Sequence, residues 1–199
     1  MIFYHYTSAH GLNGISETKK ILKGQGVLVN GSKVNPALGV NLTTSPSCIG
    51  HGLHLGQSIA LGSDLYKKMP ANVWVQKGLN CVKLVDHSQV RLEIKLERND
   101  PLAQSAADYY SSNPAILRRL AFTGHNPLMP YLGQGEIDGY RAAFEIGALK
   151  DMSATWYYYF GEIPIECIRS VSICSAFNVY RGSMKFSEWL EVRNKEVGI

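Results

Sequence analysis

Ile2-Phe3-Tyr4-His5-Tyr6-Thr7 is the stretch on which the fold reading turns, a short apolar strand pattern that runs directly into an imidazole, a phenol and a hydroxyl. On a regular strand His5 and Thr7 share one face and Tyr6 points to the other. Its expected neighbour is Gly39-Val40-Asn41-Leu42-Thr43-Thr44-Ser45-Pro46, a strand-like run bounded by Gly and Pro and carrying two adjacent hydroxyls. The two runs are expected to lie side by side and to hold a nucleotide. Between them, Ser8 is placed to cap a short helix from Ala9 to about Ile15, with Leu12 and Ile15 three apart and facing a core.

Working outward, Gly24-Gln25-Gly26 breaks the pattern, Val27-Leu28-Val29 is a short apolar run, and residues 30 to 38 read as loop. Residues 45 to 63 are rich in Gly, His and Ser, a composition that does not favour regular structure. Val73-Trp74-Val75 reads as a strand or an anchoring turn. Val82 to Val85 and Val90 to Glu97 read as strands, the second alternating apolar with charged residues over eight positions. Residues 102 to 122 read as helical, divided by Pro114 into two helices. Residues 123 to 139 read as loop, and Tyr140 to Leu149 as a strand or short helix. Thr155 to Phe160 is the densest strand signal in the chain, Ile168 to Cys174 alternates as another strand, and Ser187 is placed to cap a last amphipathic helix. Strands outnumber helices and the connections are short, which predicts one mixed α+β domain over residues 1 to 199 with antiparallel pairing.

Composition narrows the class. The hydrophobic fraction of 45% is ordinary for a folded domain, while the charged fraction of 18% falls below the roughly 25% usual in soluble proteins. Twenty Lys and Arg against sixteen Asp and Glu leave a formal charge of +4, which permits an anionic partner. The basic pairs Lys19-Lys20, Lys67-Lys68 and Arg118-Arg119 read as solvated surface. Cys48, Cys81, Cys167 and Cys174 are spaced neither as a zinc site nor as a disulfide framework, which predicts reduced thiols in a cytoplasmic protein. No basic region followed by a long apolar run opens the chain, so neither a signal peptide nor a membrane span is expected. Action outside the producing cell would then need another export route.

Several residues carry chemistry. The imidazole of His5 titrates near neutral pH and could hold a ribose hydroxyl or a phosphate, with Thr7 supporting the same ligand. Thr43 and Thr44 diverge on their strand, so only one of them could meet a ligand; the alternative is that both are β-branched residues chosen for strand fit. His51 and His54 sit three apart in the Gly-rich loop without a third ligand at metal spacing, and no metal is expected. Arg91 could clamp a phosphate with its guanidinium fork or stand on the wet face of its strand. Trp156 and Tyr158 share one face, Tyr157 and Tyr159 the other; one face is core and the other could stack a nicotinamide or a base. No GxSxG, GxGxxG or Walker A motif is present.

Together, the strand ending in His5-Tyr6-Thr7, the Gly39 to Thr44 strand, and the aromatic strand followed by Gly161-Glu162-Ile163-Pro164 resemble the ADP-ribosyltransferase superfamily over residues 2 to about 174. The likeness is to its toxin-type branches, found in toxin–antitoxin, phage-defence and polymorphic-toxin systems with an N-terminal HYT-like motif. It implies a split, strongly bent antiparallel β-sandwich with peripheral helices, binding NAD⁺ as substrate in a cleft and using no metal. His5 would hold a ribose of NAD⁺, and Asn41, Thr43 and Thr44 would brace the nicotinamide ribose and ring. Tyr6, Thr7, His51, Arg91, Trp156 and Tyr158 complete the expected cleft. The slot of the superfamily's usual glutamate is occupied by Thr155 or Trp156; Glu162, just before Ile163-Pro164, and Glu145, Glu136 and Asp151 are the other carboxylates. The reaction implied is mono-ADP-ribosyl transfer to a macromolecule, nucleic acid ahead of protein, with an antitoxin or immunity protein as a further partner. A catalytically inactive nucleotide- or partner-binding module and an RNA 2′-phosphotransferase-like enzyme are the alternatives.

Overall fold

The computed structural model describes residues 1–23, 28–29, 32–33, 39–69, 74–175 and 179–197. The Gly24-Gln25-Gly26 break, most of the loop expected over 30 to 38, and Val73 lie outside those residues. In chain order the strands and helices begin with β1 (Ile2–Thr7), α1 (Ala9–Thr18), β2 (Lys20–Ile21), β3 (Leu28–Val29), β4 (Ser32–Lys33) and β5 (Val40–Thr43). They continue with β6 (Ser58–Ala60), α2 (Asp64–Lys68), β7 (Trp74–Lys77), β8 (Cys81–Leu84), β9 (Val90–Lys95) and β10 (Ala103–Ser105). Then follow α3 (Ala106–Tyr109), α4 (Pro114–Thr123), α5 (Gln134–Glu145), β11 (Trp156–Tyr159), β12 (Ile163–Pro164), β13 (Ile168–Ser175), β14 (Val179–Lys185) and α6 (Phe186–Val197).

Seven strands form one sheet in the order β10-β11-β5-β1-β9-β13-β14, every neighbouring pair antiparallel. The first strand is therefore central. Its six residues pair along their whole length with β9, from Ile2 opposite Lys95 to Thr7 opposite Val90, and it meets β5 with Tyr4 opposite Thr43. On the far side of β5, β11 places Trp156 opposite Thr43 and Tyr158 opposite Asn41. The expected adjacency of the first two runs is observed, and the aromatic strand joins them. A separate three-stranded sheet, β6-β8-β7, carries its own small core of Ile59, Met69, Val82, Leu84 and Leu128.

The period of two decides the main core. Phe3, Val40, Leu42, Leu92, Ile94 and Val171 project from one face of the large sheet and are buried there against Leu12 and Ile15 of α1 and Phe186 of α6. Each such side chain contributes about 1.5–3 kcal/mol of burial free energy. Tyr157 packs against this core and Tyr159 belongs to it, so the face shared by Trp156 and Tyr158 is the opposite one.

Local chemistry sets several boundaries that differ from expectation. Ser8 caps α1 as read, accepting from the Gly11 N–H at 3.1 Å, but the helix runs on to Thr18 and stops where Lys19 takes a left-handed φ of 59°. Residues 103–105 form a strand rather than a helix start, because pairing with β11 satisfies their backbone; the two helices on either side of Pro114 are observed after it. The span read as loop before Tyr140 contains the start of α5, where the Glu136 carboxylate accepts the Gly133 N–H at 3.1 Å and Ile137, Tyr140 and Phe144 share a half-buried face. Part of the Gly-rich 45 to 63 stretch forms β6, paired with β8. At the C-terminal side, α6 begins at Phe186, whose ring stacks on Trp189 at 5.5 Å, so Ser187 lies inside the helix instead of capping it. The four cysteines are free thiols, and no helix among the described residues is long and apolar enough to cross a membrane.

Candidate functional site

A cleft of about 240 Å³ opens where β1 runs into α1, and His5, Thr7, Gly14, Thr18, Lys20 and Leu22 are among its walls. The Ser8 cap brings the helix close against the end of the strand, and Gly11 makes that approach possible: a Cβ there would overlap Thr7 Oγ1. Gly14, one turn on, faces open space. His5 Nδ1 lies 3.0 Å from the carbonyl oxygen of Asn41 on β5. A carbonyl only accepts, so Nδ1 carries the proton and Nε2 is left with its lone pair. Burial draws the pKa of His5 below the ordinary imidazole value, with the bond to Asn41 opposing it. A neutral ring with a free acceptor nitrogen suits a hydroxyl donor such as a ribose.

The far wall comes from the end of α1. Thr18 Oγ1 shares its proton between the carbonyls of Gly14 and Lys20 at 2.8 and 2.9 Å, which fixes the turn into β2. There Ile21 and Lys20 pair with Ile163 and Pro164 of β12. That pairing sets Glu162 beside Lys20, its Oε2 2.6 Å from Lys20 Nζ, both side chains being well exposed. A carboxylate from the third block thus stands one side chain away from a cleft lined by the histidine of the first.

The opposite face of the same strands holds most of the other expected residues, and their polar groups are bonded among themselves. Tyr6, opposite Arg91 in register, donates to the Ser45 carbonyl at 3.0 Å. Arg91 donates to the Pro46 carbonyl at 2.8 Å and lies over the rings of Tyr180 and Tyr4, 4.6 and 5.3 Å from their centroids. Thr43 Oγ1 donates to Thr155 Oγ1 at 2.9 Å and accepts the Ser45 N–H at 3.0 Å. The Trp156 indole N–H donates to His51 Nδ1 at 2.7 Å, which places the His51 proton on Nε2, a buried atom without a partner among the described residues. Burial pulls the pKa of His51 down to about 4. Tyr158 packs edge-on against Tyr109 at 5.3 Å, and burial with a bond to Tyr110 pushes its hydroxyl pKa up.

The expected site residues are therefore not one constellation. His5 and Thr7 line the cleft and Glu162 contacts Lys20 of its lining; Tyr6, Thr43, His51, Arg91, Trp156 and Tyr158 form a wall behind it. Asn41 serves both sides, its carbonyl toward His5 and its side chain in the row of Tyr158. Thr44, just past the strand, donates its backbone N–H to the Thr155 carbonyl at 2.9 Å. Glu145 is exposed on the last turn of α5, a helix that packs against α4. Lys20, Thr18 and the pair Gly11 and Gly14 were not foreseen as site residues; two glycines three apart on an amphipathic helix are the signal that marks a shaved face. Among the described residues no group of three or more His, Cys, Asp or Glu is arranged to hold a metal ion. Comparison with family models, curated proteins and solved structures gives no match.

Proposed function

We propose that this chain is a mono-ADP-ribosyltransferase that moves ADP-ribose from NAD⁺ to a macromolecular acceptor, nucleic acid ahead of protein, and acts as a toxin or defence effector. One observation carries the reading: the β2–β12 pairing sets Glu162 of the third block against Lys20, which lines the cleft that also holds His5 of the first. The side-by-side order β11-β5-β1 of the three resembling blocks supports it. We read the large sheet and the separate β6-β8-β7 sheet as the split antiparallel sandwich of that superfamily.

In this reading the nicotinamide ribose enters the cleft and a ribose hydroxyl donates to His5 Nε2. A volume of about 240 Å³ suits part of a dinucleotide, since whole-ligand pockets run to roughly 300–1,000 Å³. The bond from the anomeric carbon to the pyridinium nitrogen breaks, its electron pair leaves with neutral nicotinamide, and the Glu162 carboxylate faces the positive charge that develops on the ribose. An acceptor oxygen or nitrogen then forms the new bond to that carbon and gives up its proton to solvent or to the carboxylate. Lys20, which pairs with Glu162, would exchange it for an oxygen of the NAD⁺ pyrophosphate.

A non-catalytic nucleotide-binding module is the second reading, favoured by the same Lys20–Glu162 contact, because a paired carboxylate is partly neutralised. The 2′-phosphotransferase reading asks for several cations around the cleft, and among the described residues lining it Lys20 is the sole one. The deciding assay follows nicotinamide release and transfer of label from NAD⁺ to RNA, DNA and protein. His5→Ala and Glu162→Gln should each lower transfer by about 10²–10³-fold, the usual effect of removing an electrostatic stabiliser. Growth arrest on expression should disappear with His5→Ala while the variant stays soluble. NAD⁺ binding without turnover selects the binding module, and neither binding nor turnover with any acceptor overturns both readings.

A further inference from the structure

The structure has a second and larger cleft, of about 350 Å³, away from the α1 cleft and built where α5 ends. Gly147, at φ 76°, terminates the helix by donating to the Phe144 carbonyl at 3.1 Å, and the Leu149 N–H donates to the Ala143 carbonyl at 3.2 Å. The chain therefore doubles back and sets Leu149, Lys150 and Asp151 around Phe144 and opposite Arg118 of α4. Phe144 is held from behind by Phe122 at 5.9 Å and His125 at 5.6 Å. Asp151 is oriented by the Ser153 N–H, which donates to its Oδ1 at 2.8 Å, five residues before Trp156. Neither Arg118 nor Lys150 is in an ion pair among the described residues.

We infer that this cleft binds one nucleotide of a single-stranded nucleic acid, deepening the acceptor reading above and resting on it. An apolar floor of Phe144 and Leu149 takes the flat face of a base, because every base has a π-face and stacking on an aromatic ring is tolerant of sequence. Arg118 and Lys150 supply charge for the adjoining phosphate, and the Asp151 carboxylate accepts an N–H from the base edge. The carboxylate separates this ligand from an acidic peptide, which would set a second anion against Asp151. A pocket of this size admits a single splayed base, and in a duplex the bases are stacked out of reach. The positive excess of the chain, +4 overall, favours the same partner.

The test is fluorescence anisotropy of short fluorescein-labelled single-stranded RNA and DNA, titrated at several salt concentrations, with a duplex RNA and an acidic peptide titrated alongside. The double variant Arg118→Glu/Lys150→Glu, both positions being exposed, should bind at least about tenfold more weakly and lose roughly 0.7 from the slope of log K against log salt, one phosphate contact's worth. Phe144→Leu, which keeps an apolar floor, should weaken binding by at least about fivefold. Lys67→Glu/Lys68→Glu, on α2, should leave both affinity and slope unchanged. NAD⁺ consumption without acceptor should stay at the wild-type level in all of these. Equal binding by the wild type and the Arg118/Lys150 variant overturns the inference, as does wild-type protein that prefers duplex RNA, binds an acidic peptide instead, or binds neither single-stranded RNA nor single-stranded DNA. Binding that behaves as expected in a protein that never consumes NAD⁺ would retain this subsite and overturn the transferase reading alone.

Discussion

Alanine at Gly11 and alanine at Gly14 should move stability in opposite directions, although both lie on α1 and are separated by one turn. Replacing Gly by Ala inside a helix ordinarily gains about 0.5–1 kcal/mol through backbone entropy and propensity. At Gly14 an added Cβ meets nothing within 4 Å, so that gain should be realised, while the new methyl narrows the cleft and, on the proposed function, should weaken NAD⁺ binding. At Gly11 the Cβ would overlap Thr7 Oγ1, with Thr7 Cβ at 3.4 Å and Ser8 Oγ at 3.5 Å behind it. Thr7 is β-branched and restricted about χ1, so turning the hydroxyl aside is itself unfavourable, and overpacking of this kind costs about 1–3 kcal/mol. Subtracting the propensity gain leaves Gly11→Ala destabilised by roughly 0.5–2 kcal/mol, and the gap between the two variants at about 1–3 kcal/mol. Thr7→Ala removes the obstructing oxygen, so Gly11→Ala in that background should become neutral or stabilising, a coupling on the order of 1–3 kcal/mol. Urea denaturation of the wild type, both alanine variants, Thr7→Ala and the Thr7→Ala/Gly11→Ala double variant measures the whole cycle. Equal stability of the Gly11 and Gly14 variants, or a Gly11 penalty that survives Thr7→Ala, would refute the close strand–helix approach that shapes the cleft.

Three further perturbations test the rest of the frame. His51 is held to about pH 4 by burial against an unfolded value of 6.5, so the unfolded chain takes up its proton first as pH falls, and stability is lost between pH 6.5 and 4 by at most about 3 kcal/mol. His51→Gln should flatten that part of the stability profile, measured by urea titrations at pH 7 and 5, leaving the share of His5, His54, His87 and His125, which burial also holds low; an unchanged slope counts against the burial of this ring. Trp156→Phe keeps an aromatic side chain but strips His51 Nδ1 of its donor, and should cost about 1–3 kcal/mol by chemical denaturation, a loss under roughly half a kcal/mol contradicting the bond. Leu92→Ala, fully buried at the middle of β9, should cost about 2–5 kcal/mol in the same assay, and a smaller loss would place Leu92 outside the main core.

The strands that carry the sheet were legible because their periodicity is local. Val90 to Lys95 alternates so strictly that its buried residues can be read one by one, and Trp156 to Tyr159 offers a β-rich run that nothing else would suit. Ser8 was legible as a cap for the same reason. The edge strand β10 was not, because Ala103-Gln104-Ser105 has little strand propensity and becomes a strand only by pairing with β11. Nor was the start of α5, where Gly135 and Gly139 argue for a loop and the Glu136 carboxylate on the Gly133 N–H outweighs them. Lys20 was read as half of a surface basic pair, since its place at the cleft depends on β2 pairing with a segment more than a hundred residues away.

Which site residues can meet is a matter of parity, and parity was fixed only by register. Both neighbours of β5 meet it at Thr43, β1 through Tyr4 and β11 through Trp156, so Tyr4, Thr43 and Trp156 form one row across the sheet. His5 is one residue from that row and therefore on the other face. Bringing the His5 ring to the Trp156 side would need a slip of one residue, which would turn Phe3 out of the core, and with it the burial that defines the sheet. The two sets consequently have different tasks. On the Trp156 side, the carbonyls of Ser45 and Pro46, the Thr43 hydroxyl and the His51 ring are each engaged by a sheet residue or by the loop itself, so that wall fastens the 45–51 loop to the sheet. On the His5 side a lone pair faces a cleft whose Lys20 wall pairs with a carboxylate, and the proposed chemistry on a sugar is assigned to that side.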